Sequence, residues 1–183
     1  MAELSTILVV DDEIGPRESL RAVLKPDYQV LVATEGEQAV HVVVQQPVDV
    51  VLLDLRMPGL SGMQVLEKIK AIDPSIEVIV VTGYASYETV LEGLRLHAFD
   101  YIPKPFNILH LREIVKRAAM QRQVCQQRTK EMAEQQFRDL LQNLDAVSHS
   151  LRQSLQTLGH VRQTLQQNYT TLLNAPSEDA FQG

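Results

Sequence analysis

The 183-residue sequence predicts an α/β fold: a five-stranded, doubly wound parallel sheet, followed by a long C-terminal helix that reads as a coiled coil. Three observations carry this. Short apolar runs alternate with helical patterns five times over the first 120 residues, as in chains of βα units. The run Val48-Asp49-Val50-Val51-Leu52-Leu53 is nearly all apolar, like a strand buried on both faces of a parallel sheet. From Phe137 onward a large apolar residue recurs every seven positions.

The elements follow in order. Ile7 to Val10 is a first strand, ended by Asp11-Asp12-Glu13. Pro16 suits a first helical turn, and Arg17 to Leu24 has a helical pattern. Tyr28 to Ala33 is the second strand and Gly36 to Gln45 the second helix. Val48 to Asp54 is the third strand, closed by the Pro58-Gly59 loop. Gly62 to Ile72 is a third helix, ended by Asp73-Pro74. Glu77 to Thr82 is a fourth strand. Ser86 is placed to N-cap a fourth helix that runs to about Leu96. Phe99 to Ile102 is the fifth strand, followed by Pro103-Lys104-Pro105. A fifth helix begins near Asn107, with Leu109, Leu111, Ile114, Val115 and Ala118 on its buried side.

Charge divides the chain. Through Met120 there are 11 Lys/Arg and 17 Asp/Glu, which gives −6, and beyond it 6 and 6, which gives zero. An acidic globular domain is therefore expected at 1–120, and nothing resembles a basic nucleic-acid footprint. Cys125 is the only cysteine, which excludes an internal disulfide and fits a reducing compartment. No stretch approaches the ~20 apolar residues of a membrane span. Met1-Ala2-Glu3 leads straight into a strand, which leaves no room for a signal peptide. A cytoplasmic protein is expected.

The polar residues at the strand ends carry the chemistry. In a parallel sheet the carboxyl ends share one edge, where open α/β sheets bind ligands. Strand one delivers Asp11 and Asp12, strand three Asp54 and strand four Thr82; Lys104 lies just past strand five. Carboxylates gathered in one crevice repel one another, and a hard divalent cation with oxygen ligands relieves this, Mg²⁺ being the natural candidate. A metal, a lysine and a hydroxyl around one carboxylate suit a phosphoryl group on that carboxylate.

With these residues the chain resembles the receiver domains of two-component response regulators. The matching residues are Asp11-Asp12, Asp54, Thr82, Tyr101 and Lys104-Pro105, with the string Asp54-Leu55-Arg56-Met57-Pro58-Gly59 continuing to Gly62-Met63. The likeness covers roughly residues 5 to 120 and implies a flavodoxin-like fold. It further implies that Asp54 accepts a phosphoryl group from a histidine of a sensor kinase. Asp12, Asp54 and the backbone carbonyl of Arg56 would ligate Mg²⁺ directly, and Asp11 through water. Lys104 would pair with the phosphoryl oxygens, and its bond to Pro105 would be cis. Thr82 would move to the phosphoryl group, Tyr101 would swing inward, and the face of helix four, strand five and helix five would change shape. Gly83 after Thr82 leaves the approach to Asp54 open. The region around Asp54 and Lys104 looks most like receivers of sigma-54 activators, or receivers joined by helices to other modules.

Each residue alone has a plainer reading. Asp11-Asp12 could cap the first helix, Thr82 end a strand, Tyr101 fill half a core position and Lys104 sit in solvent; their combination with Asp54, in order along the strands, is what specifies the site. A haloacid-dehalogenase-type hydrolase also uses an aspartyl phosphate, but it carries the nucleophile on its first strand with an acid two residues later. Arg56 holds that position here and cannot act as an acid near neutral pH. The expectation is a switch, not an enzyme.

Residues 121–136 form a polar, Gln-rich segment without Pro or Gly, so the fifth helix can continue through it as a linker. The heptad then runs Phe137, Leu144, Leu151, Leu158, Leu165 and Leu172, within a coiled-coil segment 137–174 that spans about 54 Å from Phe137 to Leu172. If these are a positions, d is Leu140, Val147, Ser154, Val161 and Asn168. If they are d, a is Leu141, Ser148, Leu155, Arg162 and Tyr169. A parallel homodimer is the leading reading, with Ser154 and Asn168 as polar layers; a hairpin turning at Gly159 is the alternative. His149, within a faint likeness to a histidine-kinase phosphoacceptor box, lacks that box's acid and proline and reads as a surface residue. Pro176 ends the helix, and 175–183 reads as a flexible tail. Either the chain is part of a larger regulator, or its output is its own coiled coil.

Overall fold

The computed structural model describes residues 4–83 and 86–173, with side chains as far as Thr171. Its elements are β1 (Thr6–Val10), α1 (Ile14–Leu24), β2 (Gln29–Ala33), α2 (Gly36–Gln45), β3 (Val50–Leu53), α3 (Gly62–Ile72), β4 (Glu77–Thr82), α4 (Tyr87–Arg95), β5 (Asp100–Pro103) and α5 (Ile108–Leu173). The strands form one parallel sheet in the order β2-β1-β3-β4-β5. The five expected strands and helices are all present; α2, α3 and β4 have the expected bounds, and the other ends differ by at most three residues. Ser86 caps α4 reciprocally with Thr89, and Ser61 caps α3 with Gln64.

Strand pleating sends alternate residues to opposite faces. Ile7, Val9, Val50, Leu52, Ile79 and Val81 pack on one face with α1 and α5 residues such as Leu20, Leu24 and Leu111. Leu8, Val10, Val51, Leu53 and Val78 pack on the other with Val65, Leu66 and Ile69 of α3. Both faces are thus covered, which is why the central strands read as unbroken apolar runs rather than alternating ones.

Two expectations are corrected. Leu109 is 79% exposed, whereas Leu111, Ile114, Val115 and Ala118 are buried. Leu109 precedes Leu111 by two residues, about 200° around a 3.6-residue helix, and so faces the opposite way. The first compact unit also runs to Thr129 rather than 120. The Gln-rich stretch is not all linker, because its first turns bind the amino-terminal edge of the sheet. Gln121 Nε2 donates to Glu77 (3.0 Å), Gln123 Nε2 to Ser5 Oγ (3.1 Å) and Gln126 Nε2 to Asp49 (3.0 Å). Arg122 is 8% exposed and pairs with Asp73 at 2.8 Å and Asp49 at 3.5 Å, and it also donates to Ser75 Oγ.

The second unit begins at Lys130. Through its described residues it is helical, and α5 passes Gly159 without interruption, so there is no hairpin turn there. Phe137, Leu144, Leu151, Leu158 and Leu165 are all exposed on the single chain. The side chain of Leu172 and the expected tail lie outside the described residues.

Candidate functional site

The sheet register builds the site. Val10 pairs with Leu53, and Leu53 with Val80. The ladder continues one step past the strands: Asp11 N–H donates to Ala33 O (3.2 Å), Asp54 N–H to Val10 O (2.9 Å) and Lys104 N–H to Thr82 O (2.9 Å). These bonds fix Asp11, Asp54 and Lys104 at the carboxyl edge before their side chains engage anything. Carboxylate oxygens of Asp11, Asp12 and Asp54 lie within 4.8 Å of one another. Asp11 and Asp54 are buried and Asp12 is exposed.

Lys104 Nζ donates to Asp11 Oδ2 at 2.7 Å and to Asp54 Oδ2 at 2.8 Å. Burial alone would lower its pKa, but the hydrogen bonds to Asp11 and Asp54 and the attraction of their charges outweigh that and raise it above the ordinary lysine value. The lysine is therefore firmly cationic. The other Asp11 oxygen, Oδ1, accepts from Glu13 N–H (3.0 Å), and Arg17 donates to the backbone oxygens of Asp11 (2.7 Å) and Asp12 (3.3 Å). The loop is thus held from the first turn of α1. Three carboxylates with one lysine leave an excess of negative charge and hard oxygen donors, which fits a divalent cation such as Mg²⁺.

The remaining site residues fall as follows. Thr82 ends β4 and is fully buried. At Arg56 the N–H points to Asp54, donating to Oδ1 at 3.4 Å. The Lys104–Pro105 bond is cis. Tyr101 is half-buried, and its hydroxyl donates to Thr89 Oγ1 on α4 at 3.1 Å. Burial raises the pKa of that phenol, with Asp54 and Glu92 adding to it against the Thr89 hydrogen bond, so it stays protonated as a donor. A Cβ on Gly83 would meet only Lys104 Cβ, at 4.0 Å, consistent with an open approach. His149 is exposed on α5, with Nε2 3.1 Å from Gln153 Nε2, and belongs to the second unit.

Two contributors, Thr89 and Arg17, were not singled out from the sequence, and a third, Gly62, stood in the matched string without a stated role. Thr89 anchors Tyr101, and its only sequence signal was the capping spacing Ser86-x-x-Thr89. Arg17 ties down the acidic loop. Gly62 lets α3 start against the Asp54 turn: a Cβ there would sit 2.3 Å from Asp54 O and 2.5 Å from Leu55 Cα.

A parallel sheet whose carboxyl edge gathers three acids, a lysine and a threonine defines a doubly wound α/β domain with an acidic, lysine-bridged pocket. Comparison with known proteins gives the particular family. The response regulator receiver domain matches residues 7–116, and the chain belongs to that family. It is 39% identical over 112 residues to the sporulation initiation phosphotransferase F of Bacillus subtilis, covering 61% of this chain and 90% of that protein. It is 41% identical over 113 residues to the transcriptional regulatory protein ZraR of Escherichia coli K12, covering 61% of this chain but 26% of that protein. The regulatory protein AtoC of Escherichia coli K12 is likewise matched over 26% of its length. A crystal structure of a CheY-like receiver domain protein from Methanospirillum hungatei JF-1 superposes with a TM-score of 0.64 at 30% identity, over 66% of this chain and 98% of that one. The protein thus contains a two-component receiver domain related to those of sigma-54 activators. Among the described residues no helix is long and apolar enough to cross a membrane.

Proposed function

We propose that this chain is a phosphorylation-controlled switch in which Asp54 accepts a phosphoryl group from a histidine of a sensor kinase. The observation that carries this is the double grip of Lys104 on Asp11 and Asp54 beside a third carboxylate. In the transfer, the phosphorus–nitrogen bond to the kinase imidazole breaks as a phosphorus–oxygen bond to an Asp54 carboxylate oxygen forms. Asp12, Asp54 and the Arg56 carbonyl would hold Mg²⁺, with Asp11 behind water. Bound there, the metal supplies positive charge to the transferring oxygens. Lys104 supplies the second positive charge, and Gly83 keeps the approach clear.

The switch would follow from exchanged partners. Moving a two-state equilibrium from 1:99 to 99:1 needs about 5.5 kcal/mol of differential stability. Lys104 already has two charged partners, so turning to the phosphoryl group exchanges bonds rather than adding one. The larger share then falls to the Thr82 hydroxyl and to what its movement releases at Tyr101. Tyr101 would give up Thr89, and the α4–β5–α5 face would change with it. A parallel homodimer of the second unit would receive this change through α5. The protein acts as a switch, turning over at most its own aspartyl phosphate, in the cytoplasm, without direct contact to nucleic acid.

A second reading is favoured by one observation: ZraR and AtoC are each matched over only about a quarter of their length. On it, this chain is the amino-terminal part of a larger regulator of the sigma-54 activator kind. Intact-mass measurement after acetyl phosphate and Mg²⁺ tests the site in either case. One phosphoryl mass should be gained by the wild type and none by Asp54→Asn, and a phosphorylated Asp54→Asn protein would sink the assignment.

A further inference from the structure

The second unit carries more apolar surface than two strands can bury. With Phe137 as a, all the large apolar residues from 137 to 169 fall at a, d or e, and none at b, c, f or g. A two-stranded seam uses two positions in seven, whereas a helix of a multi-helix bundle uses three. The third position here is e, occupied by Leu141, Leu155 and Tyr169 at 14-residue intervals, about 21 Å apart along the helix. All three are exposed on the single chain, at 46%, 60% and 65%.

The flanking positions point the same way. In two-stranded coils e and g usually carry Glu and Lys, which pair across the seam and stay wet. Here g is Gln136, Asn143, Ser150, Thr157 and Thr164, without a charge, and Arg162 is the only charged e residue from 137 to 169. Two of the g hydroxyls, and that of Ser154 at d, are also satisfied within the helix. Thr157 Oγ1 donates to Gln153 O (3.0 Å), Thr164 Oγ1 to His160 O (3.0 Å) and Ser154 Oγ to Ser150 O (3.1 Å). Burying Thr157 and Thr164 therefore strands no hydroxyl donor, and no g position brings a charge into a second interface.

We infer that the e-position ridge is a self-association surface through which two pairs of this chain join as a four-helix assembly. The occupant is a second copy rather than a foreign helix. The ridge offers no charge pattern with which to select one, while an identical pair presents the same apolar ridge beside the same neutral g positions. The inference rests on the homodimer reading above, and its test separates the two.

Sedimentation equilibrium of the full chain decides it, with 20.6 kDa per chain as the unit of mass. The wild type should sediment as four chains. The variant Leu141→Ser/Leu155→Ser/Tyr169→Ser should halve that mass to two. Leu144→Ser/Leu151→Ser/Leu158→Ser, which removes the a seam, should reduce it to one. Circular dichroism should show a folded receiver in each. A wild type of two chains overturns the inference and leaves the homodimer standing; a wild type of one chain overturns both. An e-position variant that falls to one chain also overturns it, because Leu155 and Tyr169 would then belong to the two-stranded seam in place of Ser154 and Asn168.

Discussion

Replacing Arg122 with Met tests the packing of α5 beneath the sheet. Met keeps an apolar stem in the space while removing the guanidinium. The change leaves Asp73 without its 2.8 Å partner and Asp49 without its 3.5 Å one. Breaking a fully buried pair costs about 3–5 kcal/mol. Two facts reduce that here. The Asp73 side chain is 35% exposed, and both acids keep other donors: Ser75 N–H at 2.9 Å for Asp73, and Thr6 N–H at 2.9 Å and Gln126 at 3.0 Å for Asp49. A loss of about 2 kcal/mol is expected, which at a urea m-value of about 2 kcal/mol/M lowers the midpoint by about 1 M. The pH dependence carries a sign. Burial would raise the Asp73 pKa, but its hydrogen bonds to Ser75 and Arg122 and the Arg122 charge together lower it. A depressed folded pKa contributes stability that is present above the unfolded value, about 3.9, and lost as pH falls through the folded value. The gap between wild type and variant should therefore be full at pH 7 and shrink below about pH 4. A midpoint shift under about 0.2 M at pH 7, or one that grows in acid, would show that the Arg122 ion pairs contribute little to stability.

The same logic reaches the site. Saturating Mg²⁺ at about 100 times its Kd should add about 2.7 kcal/mol to the urea stability of the wild type. Asp12→Asn should keep the metal-free stability within about 0.5 kcal/mol, since Asp12 is exposed, yet lose most of the Mg²⁺ increment; an undiminished increment would remove Asp12 from the metal site. Gly62→Ala should cost about 2 kcal/mol or more in thermal unfolding, because its Cβ has backbone atoms at 2.3 and 2.5 Å, and should slow phosphoryl gain by displacing the Asp54 turn. A Gly62→Ala protein as stable as the wild type would show that the close approach relaxes freely.

The receiver was legible because its signals are local and strongly patterned. The short runs rich in β-branched residues around Val50 to Leu53 and Val78 to Val81, bounded by turn residues, read as doubly buried strands, and parallel strands place their carboxyl ends on one edge. The strand order alone therefore brings Asp11, Asp54, Thr82 and Lys104 to one edge. Arg122 was not legible. It sits among six glutamines in a stretch that looks like a solvated helix, and the family resemblance ends before it. Nothing in its own surroundings along the chain says that Asp49, Asp73 and Ser75 wait beneath it. Leu109 misled for the opposite reason, since an apolar residue near a helix start invites burial until the phase of its neighbours is counted. The hold of Thr89 on Tyr101 hid behind a capping role that the same hydroxyl also performs.

The βα order, the acids and lysine of the pocket and the heptad beyond Phe137 are written in the sequence, because periodicity and strand-end placement are properties of consecutive residues. Tertiary packing alone chose Lys104 as the bridge between Asp11 and Asp54, Thr89 as the anchor of Tyr101, and Arg122 as a tie within a first compact unit that runs to Thr129. Those depend on side chains 12 to 93 residues apart in the chain, where register and packing, not local pattern, choose the partner.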